Sequence, residues 1–231
     1  MDNGDTGPLR LLSLDGGGIR GLSSLIILQH LMKKVNPEDP PKPCDYFDLI
    51  GGTSTGGLIA IMLGRLRMGV TECIDKYLQL SALAFTRKRN KINIMGKGKD
   101  LWTMQGKYRS ESLVEEFRAA ASEAAGDADA LLFEPGGLCR VFVCTQSKAL
   151  NTPVLLRSYT TADSVDGLST TDVKIWEAAR ATSAASTFFD PIRIGCQEFV
   201  DGATGRNNPV EAVLAEANSI WKDTRRGSSA S

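Results

Sequence analysis

The chain has 231 residues, 42% hydrophobic and 23% charged, which suits one globular domain with a sizeable core. Lys and Arg number 27 and so do Asp and Glu, so no global field argues for nucleic acid or a membrane as partner. The five cysteines, Cys44, Cys73, Cys139, Cys144 and Cys196, form no CxxC pair or zinc-type grouping and read as reduced thiols in a cytoplasmic setting.

The leader has acids and glycines where a secretory peptide needs a basic start and an apolar run. The longest apolar run, Leu58 to Leu63, is too short to span a bilayer. From Leu9 to Leu14 the nearly continuous LRLLSL predicts a strand, DGGGIRG a turn, and LSSLIILQHLMKKV a helix with Leu25, Leu28, Met32 and Val35 at helical spacing. The proline-rich NPEDPPKP stops that helix, and the unit then repeats with YFDLI as strand, GGTSTGG as turn and LIAIML as helix. A helix is expected over Thr71 to Ala84 and a loop over Phe85 to Trp102. A further helix is expected from Ser110 to Gly126, with an SxxE capping signal at Ser112 and Glu115. CRVFVCT and PVLLRSYT read as strands and Lys174 to Ser186 as a helix. QEFV reads as a short strand running into DGATGRNNP, PVEAVLAEAN as a last helix, and residues 225–231 as a disordered tail. Alternating strands and helices predict an α/β fold with a mostly parallel sheet, its functional loops at the strands' carboxyl ends.

Between the second strand and its helix, Gly52 to Gly56 fit GxSxG around Ser54, in the strand-turn-helix context of a nucleophile elbow. A helix N-terminus beside the serine would favour an anion forming there. Gly16, Gly17 and Gly18 end the neighbouring strand and leave room for backbone N–H groups to approach a substrate oxygen. The letters GGGIRG also satisfy GxGxxG, but the acidic residue of a dinucleotide site is missing from the expected place, where NPEDPPKP stands. No histidine follows Ser54, and the single one, His30, falls on the helix face away from Leu28 and Val35, as a solvated histidine would. A Ser-His-Asp triad is therefore not expected, and a carboxylate has to take the proton. Asp201, at the end of a short apolar strand in DGA, stands out; taken by itself, a DG pair is better explained as a turn.

In this order, DGGGIRG, GTSTG and DGA resemble the patatin-like phospholipase family of lipid acyl hydrolases. The resemblance implies a three-layer α/β/α domain and a calcium-independent Ser-Asp dyad, with Ser54 the nucleophile and Asp201 the general base. It implies an oxyanion hole from the backbone of Gly16, Gly17 and Gly18, with Arg20 nearby helping a phosphate or the loop's order, and no metal or other cofactor. The substrate would be a phospholipid or another glycerolipid, not a nucleic acid. The family's domain normally continues past DGA, so residues 1–231 are expected to be one domain at the N-terminal part of a longer protein. Phe85 to Trp102 interleaves Arg87, Lys88, Arg89, Lys91, Lys97 and Lys99 with apolar residues, as a loop on an anionic lipid surface would. The competing reading is a catalytically quiet module that binds lipid or partners within a larger regulatory protein.

Overall fold

The computed structural model describes residues 7–85, 98–161, 172–184, 190–205 and 207–226. The first unit is β1 (Leu11–Leu14), a turn of 3-10 helix (Gly18–Arg20) and α1 (Gly21–Val35). The second is α2 (Pro43–Tyr46), β2 (Leu49–Thr53) and α3 (Thr55–Ala60), which continues as five residues of π-helix (Ile61–Arg65). Then come α4 (Val70–Phe85), α5 (Gly98–Ala125), β3 (Arg140–Ser147), β4 (Pro153–Arg157) and α6 (Ile175–Thr182). The chain finishes with β5 (Ile192–Ile194), β6 (Gln197–Asp201), a 3-10 turn (Gly202–Thr204) and α7 (Val210–Arg226).

The six strands form one sheet in the order β1-β2-β3-β6-β5, with β4 also on β3. β1, β2 and β3 are parallel neighbours, and β5, antiparallel to β6, shares their direction; β4 and β6 run against them. Four of six strands thus point one way, as the alternation of strands and helices predicts. The sheet is buried on both faces, which is why β2 and Val141 to Ser147 of β3 are buried without alternation, with the apolar run Val141 to Cys144 at the centre. Leu49, Phe142 and Cys144 pack with Ala212, Val213 and Ala217 of α7 on one face. Ile50, Val141 and Val143 turn to the other face, where Leu25, Leu28, Ile59, Tyr77, Phe117 and Ala178 bring in α1, α3, α4, α5 and α6. Three layers result, and each large side chain buried between them contributes roughly 1.5–3 kcal/mol.

β3 is the organising strand because it has three neighbours on two edges. β4 occupies Phe142 to Gln146 on one edge, so β2, paired over Arg140 to Cys144, and β6, paired over Thr145 to Ser147, must share the other. β2 and β6 therefore meet end to end along β3, with Thr53 opposite Cys144 and Asp201 opposite Thr145.

Several local expectations change. The start of YFDLI is not strand: Pro43 opens a single helical turn that delays β2 to Leu49. α5 begins at Gly98, so the end of the expected Phe85–Trp102 loop is helical and the Ser112/Glu115 signal lies inside a helix rather than capping one. Polar residues there continue a helix whose apolar face, through Leu113, Phe117, Ala120 and Ala121, is buried in the core; tertiary packing outweighs the local cap signal. The stretch 86–97 of that loop lies outside the described residues. α7 runs through Arg226, into the expected tail, of which 227–231 lie outside the described residues. Val35 is exposed at the end of α1 rather than in its buried row.

Candidate active site

Ser54 occupies the one residue between β2 and α3, at φ 54° and ψ −125°, a left-handed conformation that a residue with a side chain adopts only under strain. The flanking glycines make the turn possible through close approach. A Cβ on Gly56 would run into the carbonyl oxygen of Leu14, and one on Gly52 into the backbone of Gly56, so α3 seats directly on the ends of β1 and β2. The Ser54 amide donates to Thr182 Oγ1 at 2.9 Å, and Thr182 in turn donates to the Cys144 carbonyl at 2.7 Å. A buried hydroxyl on α6 thus clamps the turn to β3.

Ser54 Oγ donates to Asp201 Oδ2 at 2.7 Å. The two residues are 147 apart in sequence. The end-to-end meeting of β2 and β6 on β3 is what joins them. The Asp201 side of the contact is fixed by its own backbone: Oδ1 accepts from Ala203 N at 2.8 Å, and Asp201 N donates to Ala184 O at 3.0 Å. With Oδ1 held by that amide, Oδ2 meets the serine. Asp201 is only 2% exposed. Burial pushes its carboxyl above the usual range, while the hydrogen bonds from Ala203 and Ser54 pull the other way without cancelling it. A carboxylate raised in this way is a better proton acceptor than a solvated aspartate.

The glycine turn after β1 lies beside this pair, as expected for neighbouring parallel strands. A Cβ on Gly16 would stand 3.2 Å from that of Ser54. Of the three glycine amides expected to face a substrate oxygen, two are engaged within the protein. Gly16 N donates to Asn207 O at 3.0 Å and Gly17 N to Thr55 Oγ1 at 3.2 Å. Gly18 N has no partner among the described residues; its φ is 57°. Arg20 is exposed, and its N and Nε both donate to Gly17 O, at 3.3 and 3.4 Å, so the arginine braces the loop. Asn207 Nδ2 reaches Gly16 O at 3.3 Å, tying the segment after DGA back to the loop. Tyr77 of α4, buried, donates its hydroxyl to Gly18 O.

His30 is exposed on α1 and its Nδ1 bonds Ile26 O of its own helix at 2.8 Å, apart from the serine. Thr182, Tyr77, Thr55 and Asn207 are the site residues that sequence reasoning missed. Thr55 lies inside the GxSxG signal itself; no local pattern announces the other three. Chemically, a hydroxyl bonded to a buried carboxylate at a helix N-terminus, beside a loop with a spare amide, can deliver an alkoxide-like oxygen to a carbonyl and stabilise the anion formed.

The chain is similar to several known proteins. Phospholipase A I of Arabidopsis thaliana is 29% identical over 94% of this chain and 20% of that protein. The calcium-independent phospholipase A2-gamma of Mus musculus is 31% identical over 94% of this chain and 27% of that protein. The chain therefore spans about a quarter or less of the length of these relatives. VipD from Legionella pneumophila superposes with a TM-score of 0.46 at 12% identity, over 85% of this chain and 46% of that one. The family model described as patatin-like phospholipase matches residues 12–214, most of the chain, from β1 into α7. By that match, the chain belongs to the patatin-like phospholipase family.

Proposed function

We propose that the protein is a serine lipid acyl hydrolase of phospholipase A type, cleaving fatty-acyl esters of glycerolipids through Ser54 and Asp201. The observation that carries the reading is the 2.7 Å hydrogen bond from Ser54 Oγ to a buried carboxylate, made by a serine in a left-handed turn at a helix N-terminus. Family membership and the phospholipase names of the relatives supply the substrate class.

In this reaction Ser54 Oγ attacks the ester carbonyl as its proton passes to Asp201 Oδ2. The carbonyl pair moves onto oxygen, where the Gly18 amide stabilises the oxyanion. As the tetrahedral species collapses, Asp201 returns the proton to the departing alkoxide, leaving an acyl group on Ser54. Water then attacks the acyl-enzyme with Asp201 again taking the proton, and Asp201 returns it to Ser54 Oγ as the acyl–oxygen bond breaks and the fatty acid leaves. Gly16 and Gly17 shape the loop, and Arg20 holds its Gly17 carbonyl. Such substrates sit in lipid surfaces, so the reading includes peripheral work at a membrane from the cytoplasm; among the described residues no helix is long and apolar enough to cross one.

The test compares wild type, Ser54→Ala and Asp201→Asn on a short-chain ester, with mass-spectrometric mapping of a fluorophosphonate adduct. Hydrolysis and a Ser54 adduct in wild type, with both variants at least a thousandfold slower, support the reading. Equal turnover in all three, or an adduct elsewhere, overturns it. No turnover and no adduct in wild type, with retained binding to lipid vesicles, would favour the quiet binding module.

A further inference from the structure

Tyr77 lies 59 residues from the glycine loop in sequence and only 2% exposed in the core, yet its hydroxyl reaches Gly18 O. Burial pushes its pKa up, so the hydroxyl remains a donor through the neutral range. The ring is seated over Gly21, the first residue of α1: a Cβ there would stand 2.5 Å from the Tyr77 hydroxyl and 2.9 Å from its Cζ. Gly21 has φ −56° and ψ −26°, ordinary helical values, so it is the tyrosine first, with Ile59 Cδ1 at 3.0 Å, and not the backbone that leaves no space for a side chain.

A trans peptide holds its C=O and N–H on opposite sides. Gly18 O accepts from both the Gly21 amide and Tyr77, and pinning it there aims Ile19 N–H away from Tyr77. In the same way, the two bonds from Arg20 to Gly17 O aim Gly18 N–H. These consecutive amides open a 3-10 turn, where helical geometry provides no acceptor, and neither has a partner among the described residues.

We propose that Tyr77 is a positioning residue for the acyl transfer: by holding Gly18 O it fixes the peptide whose Ile19 N–H, together with Gly18 N–H, receives the substrate oxyanion. The bond that forms is Ser54 Oγ to the carbonyl carbon, the electron pair goes to the carbonyl oxygen facing these amides, and the proton goes to Asp201 Oδ2. The proposal rests on the reading of Ser54 as acyl-transfer nucleophile.

Tyr77→Phe removes the hydroxyl and keeps the ring; Gly21→Ala keeps the hydroxyl and displaces it. Both are made in the full chain and assayed on a short-chain ester, with active sites counted by fluorophosphonate titration. Removing one oxyanion donor typically lowers kcat about 10²–10³-fold, so misaiming one should lower it by about 10-fold or more. The expected result is that drop in each variant with KM unchanged, a parallel drop in the fluorophosphonate labelling rate, and an unmoved acid limb of the pH profile. The double variant is expected to be no slower than the slower single one, because both act through one hydrogen bond. Should Tyr77→Phe not fold, Gly21→Ala, whose backbone is already helical, carries the test. Lowered thermal midpoints with kcat per titrated site unchanged would overturn the proposal while leaving the nucleophile reading intact. A wild type that neither hydrolyses the ester nor labels would bring down both.

Discussion

Asp201 is held as a potential anion in a place that resists charge. The largest influence on it is desolvation, opposed by the Ala203 amide and the Ser54 hydroxyl, and the net direction is upward. A carboxyl raised on folding binds its proton more tightly in the native state. Its contribution to stability is therefore full below the unfolded pKa, near 3.8, and is lost as pH rises through the higher folded value. Asp201→Asn should raise the thermal midpoint at neutral pH while abolishing turnover, and the gain should disappear as pH falls below about 3.8. Thermal melts of the two proteins across pH check this; a variant less stable than wild type at neutral pH contradicts it. The proposed reaction needs the ionised form, so the acid limb of kcat should lie above 3.8. Thr182 is the second residue on which the site turns. Thr182→Val keeps the volume but removes the acceptor of Ser54 N and one donor to Cys144 O. Leaving the Ser54 amide unmatched typically costs about 1–3 kcal/mol, and the loosened turn should lower kcat more than it raises KM. Urea melts and steady-state kinetics on the same preparation separate the two effects.

At the scale of elements, α7 is the one helix among the described residues that packs with the strands on the second face of the sheet, and a nearly buried cluster secures it. Arg157 of β4 donates Nε and Nη2 to the two oxygens of Glu216 at 2.7 and 2.8 Å, and Tyr159 OH adds a third bond at 2.7 Å. Arg140 stacks over the Trp221 ring at 4.9 Å further along the helix. Removing one member of a buried pair is worse than never having had it, because the remaining charge loses its compensation. Glu216→Gln is expected to destabilise by about 3 kcal/mol, read as a lower urea midpoint at unchanged slope. The same pairing shows what a sequence can and cannot disclose. The two strand-turn-helix units were legible because glycine runs and apolar periodicity are local, and Ser54 came with them. The direction of β4 and β6, the helical start of α5 and the brief α2 were not, since each depends on what packs against it. Thr182 and Tyr77 were illegible for the same reason: their roles are hydrogen bonds spanning 128 and 59 residues. Asp201 became legible only through its order relative to the two glycine motifs.

Over the whole molecule, the candidate site is a meeting of distant segments, and they are not held equally. The serine belongs to β2, paired with β1 through four residues and with β3 through five. The aspartate belongs to β6, whose ladder with β3 has three residue pairs and whose other neighbour, β5, is a three-residue edge strand. Phe199, fully buried, and the bond from Thr145 Oγ1 to Val200 O at 2.8 Å strengthen the attachment. Against them stands the Asp201 carboxylate, which loses hydration on docking. Fewer ladder pairs than β2 has and a desolvated anion at its end make β6, with the three-residue β5 at its edge, more easily released than β2, and regions held in this way open before the rest of a domain. Rising urea should therefore abolish ester hydrolysis at a lower concentration than it unfolds the bulk helix seen by far-UV circular dichroism. Hydrogen exchange should be faster across 192–201 than across 140–147, with the gap narrowing in Asp201→Asn, which carries no charge to desolvate. Coincident midpoints for activity and helix, with equal exchange in the two segments, would instead mean that the junction of β2 and β6 on β3 opens only with the whole sheet.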